Sequence, residues 1–333
     1  MFNKLPENCS FLKLCNRCNC CFINSITQCL LNLDEVQIFL LKFGNCVINH
    51  KFEDIFASSP LWNISKIYMK FAESQKPYVV LDNSLYLKSI YENYDEFFPN
   101  EQSDAHEFFL CTFSSFDETI QQLNELLGKV EIATFASLFE ATVINFIQCE
   151  CGKSISSTDK YLTIPLHASY TSMEDAIENF LYIDQKVASE LSCHKNLKST
   201  SCRQFASLPK ILTFVFNRFQ FQSNSKRFFS RNDKNSTYVK NANCIPLLKK
   251  LNLRGEKEIK YHLKSVVFHL GKSIQKGHYV AVYRSNKHWI LADDDSARTL
   301  GSSETKEFIQ FGHIRTFYSS PAAYMLFYED KNS

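Results

Sequence analysis

The strongest constraint on this chain is a change of apolar period near Phe135, helical before it and strand-like after it. Between Cys21 and about Phe43, the residues Phe22, Ile26, Leu30, Leu33, Phe39 and Leu40 recur at helical spacing. Asn32, Asp34 and Glu35 fall between them, which predicts one or two amphipathic helices. A second helical block runs from about Asp104 to Leu127, with Ser103 or Asp104 as its cap and Glu107 in the first turns, where the helix dipole favours an acid. Short β-branched and aromatic runs follow at 142–148, 161–166, 211–219, 261–270, 279–283 and 324–328, and each reads as a strand. Helices first and strands afterwards make an α+β chain. Residues 222–243, rich in Ser, Asn, Lys and Arg without an apolar period, read as a long surface loop.

The charge balance, Lys+Arg 37 against Asp+Glu 35, gives no bulk electrostatic case for nucleic acid or an acidic membrane. No apolar run reaches the roughly 18 residues of a membrane span, and the segment from Met1 to Glu7 lacks the apolar core of a signal peptide. The 13 cysteines crowd towards the first fifty residues, which suits reduced thiols in the cytoplasm or nucleus better than a disulfide scaffold. A monomer is expected.

The chemistry gathers at two distant places. Leu14 to Leu30 reads Leu-Cys-Asn-Arg-Cys-Asn-Cys-Cys-Phe-Ile-Asn-Ser-Ile-Thr-Gln-Cys-Leu, which sets the Cys21 thiol at the start of an amphipathic helix and Asn16 shortly before it. Thiols attack as thiolates, and a free Cys has a pKa of about 8.5, so a reactive one needs a helix N-terminus, a His or both. The unsatisfied N–H groups of the helix start, with an amide from Asn16, would also hold an oxyanion. Far downstream, Gly277-His278-Tyr279 opens an alternating strand that sends His278, Val280 and Val282 to one face. A turn at Ser285-Asn286-Lys287 leads into a second strand ending in Asp293-Asp294-Asp295. The hairpin returns Asp293 towards His278, where a carboxylate fixes the imidazole's tautomer. The order Cys, His, acid is that of papain-like thiol hydrolases. The bland readings are a buried structural Cys, a structural His and a solvated Asp turn. A metal site at Cys15, Cys18, Cys20 and Cys21 is the sharper rival, but adjacent Cys20 and Cys21 make a poor tetrahedron, so no metal is assigned there.

The segment Leu14-Cys15-Asn16-Arg17-Cys18-Asn19-Cys20-Cys21-Phe22-Ile23-Asn24-Ser25, with Gln28 and Leu30, resembles the Cys box of the ubiquitin-specific proteases, Leu-x-Asn-x-Gly-Asn-Thr-Cys-(Phe/Tyr)-x-Asn-Ser. Gln102 to Phe108 is similar to that family's Gln-Gln-Asp-Ala-x-Glu-Phe. Leu208-Pro209-Lys210-Ile211-Leu212 with Asn217-Arg218-Phe219 resembles its Leu-Pro-x-x-Leu and Lys-Arg-Phe strand. Tyr261-His262-Leu263 with His269, Gly271, Gly277-His278-Tyr279, Trp289 and Asp293-Asp294 looks like its His box, and Tyr324 to Tyr328 like its closing strand. The resemblance implies Cys21 as nucleophile, Asn16 as oxyanion-hole residue, His278 as general base and Asp293 as third member, with Asp294 as its alternative. It also implies that Gln102, Asp104, Glu107, Gly277 and Tyr279 bind substrate, Asp104 and Glu107 facing the arginines of ubiquitin's tail.

The implied architecture is a single α+β catalytic domain, residues 1–333, with a papain-like cysteine protease fold. A helical thumb occupies about 10–135, β fingers about 138–215 and a β-sheet palm about 205–330. The implied activity is deubiquitination, thiol-dependent hydrolysis of isopeptide or peptide bonds after the C-terminal glycine of ubiquitin, with ubiquitin and ubiquitinated proteins as partners. Two departures stand out. Cys18 and Cys20 replace the family's Gly and Thr, and a positive φ at position 18 would strain the oxyanion loop, leaving a catalytically impaired ubiquitin-binding pseudo-protease as the alternative. The crowded thiols also suggest redox control by a Cys21–Cys18 link. The family's fingertip zinc pairs are reduced to Cys149-Glu150-Cys151 and Cys193, with Glu190 at the missing position and His194 or Cys202 as substitutes. No cofactor is therefore expected, structural zinc being the less favoured reading.

Overall fold

The computed structural model describes residues 11–16, 19–74, 78–149, 151–183, 199–222, 237–273, 276–314 and 321–331. The helical half begins with strand β1 (Phe11–Leu14), then α1 (Cys21–Leu30), α2 (Asp34–Asn49) and α3 (Pro60–Glu73). Strand β2 (Tyr78–Leu81), α4 (Ser84–Asn93) and the long α5 (Ala105–Leu127) complete it. Local chemistry sets these boundaries. Ser59 caps α3 with Pro60 at its first position, and Asp104 caps α5 by accepting the N–H groups of His106 and Glu107. Gly128, left-handed at φ 64°, ends α5. Every residue of α1 is buried.

Past a short 3₁₀ turn at Ala136–Leu138 the chain enters β3 (Ala141–Cys149) and β4 (Ser154–Tyr161), then β5 (Ile164–His167), α6 (Met173–Leu181), β6 (Tyr182–Ile183) and β7 (Ser199–Ser207). The order β4-β3-β7-β6 forms the finger sheet. The rest of the described chain is β8 (Ile211–Asn217), β9 (Phe219–Gln222), β10 (Thr237–Lys240), β11 (Lys250–Arg254), β12 (Glu258–Ser273), β13 (Lys276–Ser285), β14 (His288–Asp293), β15 (Ser296–Thr299), α7 (Ser302–Phe311) and β16 (Ala322–Asp330). The palm sheet runs β15-β14-β13-β12-β16-β8-β5, with β11 also pairing β12. This corrects the finger boundary. β5 falls inside the range expected for the fingers, yet it pairs in parallel with β8 and joins the palm, because its Ile164 and Leu166 are buried against that sheet whereas β4 of the fingers is exposed along nearly its whole length. Most of the 222–243 loop lies outside the described residues, and its last part pairs as β10 with β9.

The palm is the central layer, apolar on both faces. Val267, Tyr279, Ala281, Tyr283, Met325 and Phe327 pack into a core with the thumb helices, while Val266, Phe268, Val280, Val282, Leu326 and Tyr328 pack into a second core with α6 and α7. Strands buried on both faces read as continuous apolar runs, which is how β12, β13 and β16 read. A charged cluster locks thumb to palm. Glu329, 1 % exposed, accepts the N–H of Glu35 at the start of α2 and pairs with Lys264, which also meets Asp34. Among the described residues no helix is long and apolar enough to cross a membrane.

Candidate active site

Cys21 is the first residue of α1, and Cys20, at the N-cap, offers no side-chain cap. The N–H donors of the first turn are therefore not consumed by a capping side chain, and they put partial positive charge at the sulfur. The loop ahead of them turns through Asn19 at φ 54°, a residue type that tolerates the left-handed region, and Asn19 Nδ2 donates to the Asn100 carbonyl at 2.8 Å. The strain expected at Cys18 falls outside the described residues.

His278 lies near the start of β13 and is flanked by the other two candidates. Its Nε2 meets Asp293 Oδ1 at 2.5 Å, and the Cys21 thiol is a second hydrogen-bond partner of the ring. Burial works to lower its pKa, but the hydrogen bonds to Asp293 and Cys21 outweigh burial and raise it to about 10. The hairpin register explains the contact. Ala281 pairs with Ala292, and the β13–β14 turn carries Asn286 at φ 52°, so Asp293 returns beside His278.

Asp294 is not an alternative for Asp293. Its Oδ2 lies 3.9 Å from His278 Nε2, and its carboxylate is spent on the thumb: Oδ2 accepts from Asn16 Nδ2 at 2.7 Å and Oδ1 from Asn24 Nδ2 at 2.9 Å. The Asp294 carbonyl also accepts from Leu14 N at 3.2 Å, and the residue sits at φ 52°. Burial raises its pKa, against the pull of the two amides. Asn24 is held in turn by Asn83, and both donate to the Cys15 carbonyl. Asn16 uses Oδ1 to accept Cys20 N at 3.0 Å and the Cys20 thiol at 3.4 Å, so its amide is fixed in direction and one N–H remains beyond the bond to Asp294.

The residues expected to bind substrate form a bridge between thumb and palm. Gln102 Oε1 accepts Gly277 N at 3.2 Å. Asp104 departs from expectation. Oδ1 caps α5 and Oδ2 accepts the hydroxyls of Tyr279 at 3.0 Å and Tyr324 at 2.8 Å, so its lone pairs serve the scaffold, whereas Glu107 is exposed.

The model of the ubiquitin carboxyl-terminal hydrolase family matches residues 12–328. The chain belongs to that family. "Ubiquitin carboxyl-terminal hydrolase 12" of Salmo salar is 21% identical over 365 residues, covering 99% of this chain and 92% of the relative. "Probable ubiquitin carboxyl-terminal hydrolase 9" of Schizosaccharomyces pombe is 26% identical over 259 residues, 75% of this chain and 43% of that protein. Among solved structures, the SAGA Ubp8/Sgf11/Sus1/Sgf73 DUB module bound to ubiquitin aldehyde is similar in fold, with a TM-score of 0.68 at 18% identity over 99% of this chain and 72% of the other. The papain-like α+β fold of this ubiquitin carboxyl-terminal hydrolase is the one its sequence implied.

Cys20 and Cys21 face different partners, Asn16 and His278. The described His, Cys, Asp and Glu side chains close enough to share an ion are His278, Asp293 and Asp294, within the candidate site itself. At the fingertip, Cys149 is buried and Cys151 exposed, while Glu150, Glu190, Cys193 and His194 lie outside the described residues. Sequence reasoning gave no role to Asn24, Asn83 or His269, although Asn24 belongs to the Cys box and His269 to the His box.

Proposed function

We propose that Cys21, His278, Asp293 and Asn16 carry the hydrolysis of ubiquitin's C-terminal bond in this deubiquitinase. The observation that carries the reading is His278 bonded at once to the Cys21 thiol and to Asp293. A protonated imidazole stabilises the Cys21 thiolate, and the α1 N-terminus adds to it. Attack on the carbonyl of the terminal glycine places negative charge on its oxygen, where the N–H groups at the start of α1 and the second N–H of Asn16 receive it. His278 then gives its proton to the departing amine. Water, deprotonated by His278, releases ubiquitin from the acyl-enzyme. The tail would run between thumb and palm past Gln102, Gly277 and Tyr279, with exposed Glu107 meeting its basic residues and Asp104 holding the wall. No cofactor enters any of these steps.

The test is reaction of the reduced protein with ubiquitin bearing a C-terminal electrophile, beside turnover of an amide-linked ubiquitin substrate. Wild type should form a covalent adduct, and Cys21→Ala should form none and turn nothing over while still binding ubiquitin. Turnover by Cys21→Ala at the wild-type rate would sink the assignment. A binding-only protein would show ubiquitin bound without adduct in the wild type.

A further inference from the structure

His269, on β12, is fully buried, and neither ring nitrogen has a hydrogen-bond partner among the described residues. Burying such unpartnered polar atoms costs stability, which an apolar group at this place would not incur. The ring is nevertheless held firmly. Phe219 lies edge-on at 5.2 Å between centroids and Tyr279 at 4.9 Å. Lys240 clamps the strand below by donating to the carbonyls of His269 and Gly271. Burial, reinforced by the cations Lys240 and Arg218, keeps the imidazole neutral, its pKa pushed down to about 3.

What the ring touches are the residues on either side of His278. Tyr279 is its cross-strand partner. On the other side, a Cβ on Gly277 would stand 2.1 Å from His269 Nε2 and 2.7 Å from Cε1. The pair His269–Gly277 is thus a flat, uncharged ring under a residue with no side chain, and a six-membered ring would push Gly277 away. We infer that His269 is a positioning residue: it braces Gly277 and Tyr279, and through them sets His278 between Cys21 and Asp293. Small displacements of a base matter, since about 1 Å of misplacement costs up to ~10²-fold in rate.

The inference rests on His278 acting as the base, and two readouts keep the questions apart. His278→Ala tests the base directly, and its failure to lower turnover would remove the reading beneath. His269→Phe tests the brace. The expected result is kcat lower by about tenfold or more, KM within about twofold and a melting temperature near that of wild type, because the loss of two unpaired polar atoms offsets the crowding by the larger ring. Unchanged kcat, or kcat lost only in step with folded protein, would overturn it. A cycle of Gly277→Ala, His269→Ala and the pair gives an independent measure. The double variant should lose less than the product of the single losses, since removing the ring relieves the methyl's closest clash and leaves only the Leu270 carbonyl at 2.9 Å. Strictly multiplicative losses would contradict the contact.

Discussion

Asn16 donates its side-chain amide to Asp294 at 2.7 Å, so the loop that carries Cys21 hangs on the turn that carries Asp293. With Asn24 on the other carboxylate oxygen, Asp294 fixes the direction of the Asn16 amide and the distance between thumb and palm at the candidate site.

Asp294→Ala should therefore lower kcat by about 100-fold, the order seen when an oxyanion donor is lost, with little change in KM. Steady-state turnover of a ubiquitin amide substrate measures it, and a kcat near wild type would leave Asp294 without a part in the chemistry.

The pH profile follows from His278. Its pKa rises from an ordinary value of about 6.5 to about 10. The protonated ring, and the stability it contributes, is fully present below the unfolded pKa and is lost as pH rises through the folded one. We expect kcat/KM to hold through neutral pH and fall on an alkaline limb near 10. Asp293→Asn removes one of the raising partners and should bring that limb down towards neutrality. A limb at the same pH in both proteins would contradict the pairing.

Cys20 offers a gain rather than a loss. Its thiol is a weak donor to Asn16 Oδ1 at 3.4 Å. A hydroxyl there, as in Cys20→Thr, adds about 0.5–1 kcal/mol of hydrogen bonding and should raise kcat roughly two- to fivefold. Slower turnover by a stably folded Cys20→Thr would show that sulfur is required.

Glu329→Ala should lower the unfolding free energy by about 3 kcal/mol, because Lys264 and the Glu35 N–H lose a buried acceptor. Urea unfolding of the variant against wild type gives the difference, and a change below roughly 0.5 kcal/mol would class the cluster with ordinary surface charges.

Much of the candidate site's geometry was legible because its signals are local. The Cys box places Cys21 at a helix start, and the length of the β13–β14 hairpin carries Asp293 back to His278. Asp294 was misread as a spare acid because its partners, Asn16 and Asn24, are more than 260 residues away in sequence and meet it only when the two halves dock. Asp104 misled for a similar reason: its cap was visible, but Tyr279 and Tyr324 arrive from distant strands. Helix α3 carried a readable signal in Ser59-Pro60 that the apolar pattern did not recruit. The parallel β1–β2 pair joins segments too short and too far apart for either to announce itself. α6 and α7 were hidden by the strand-like character of their surroundings, although Ser172 caps α6 by accepting the N–H of Asp175.

The helix that begins with Cys21 has no solvent-facing side: its residues are buried, its Phe22 ring lies against Phe97 and Phe108, and β13 covers it from the palm. Segments of that kind exchange their amide hydrogens through opening of the whole fold. Heat inactivation and global unfolding of this hydrolase should accordingly trace one transition, and amide exchange along α1 should report the stability of the entire domain.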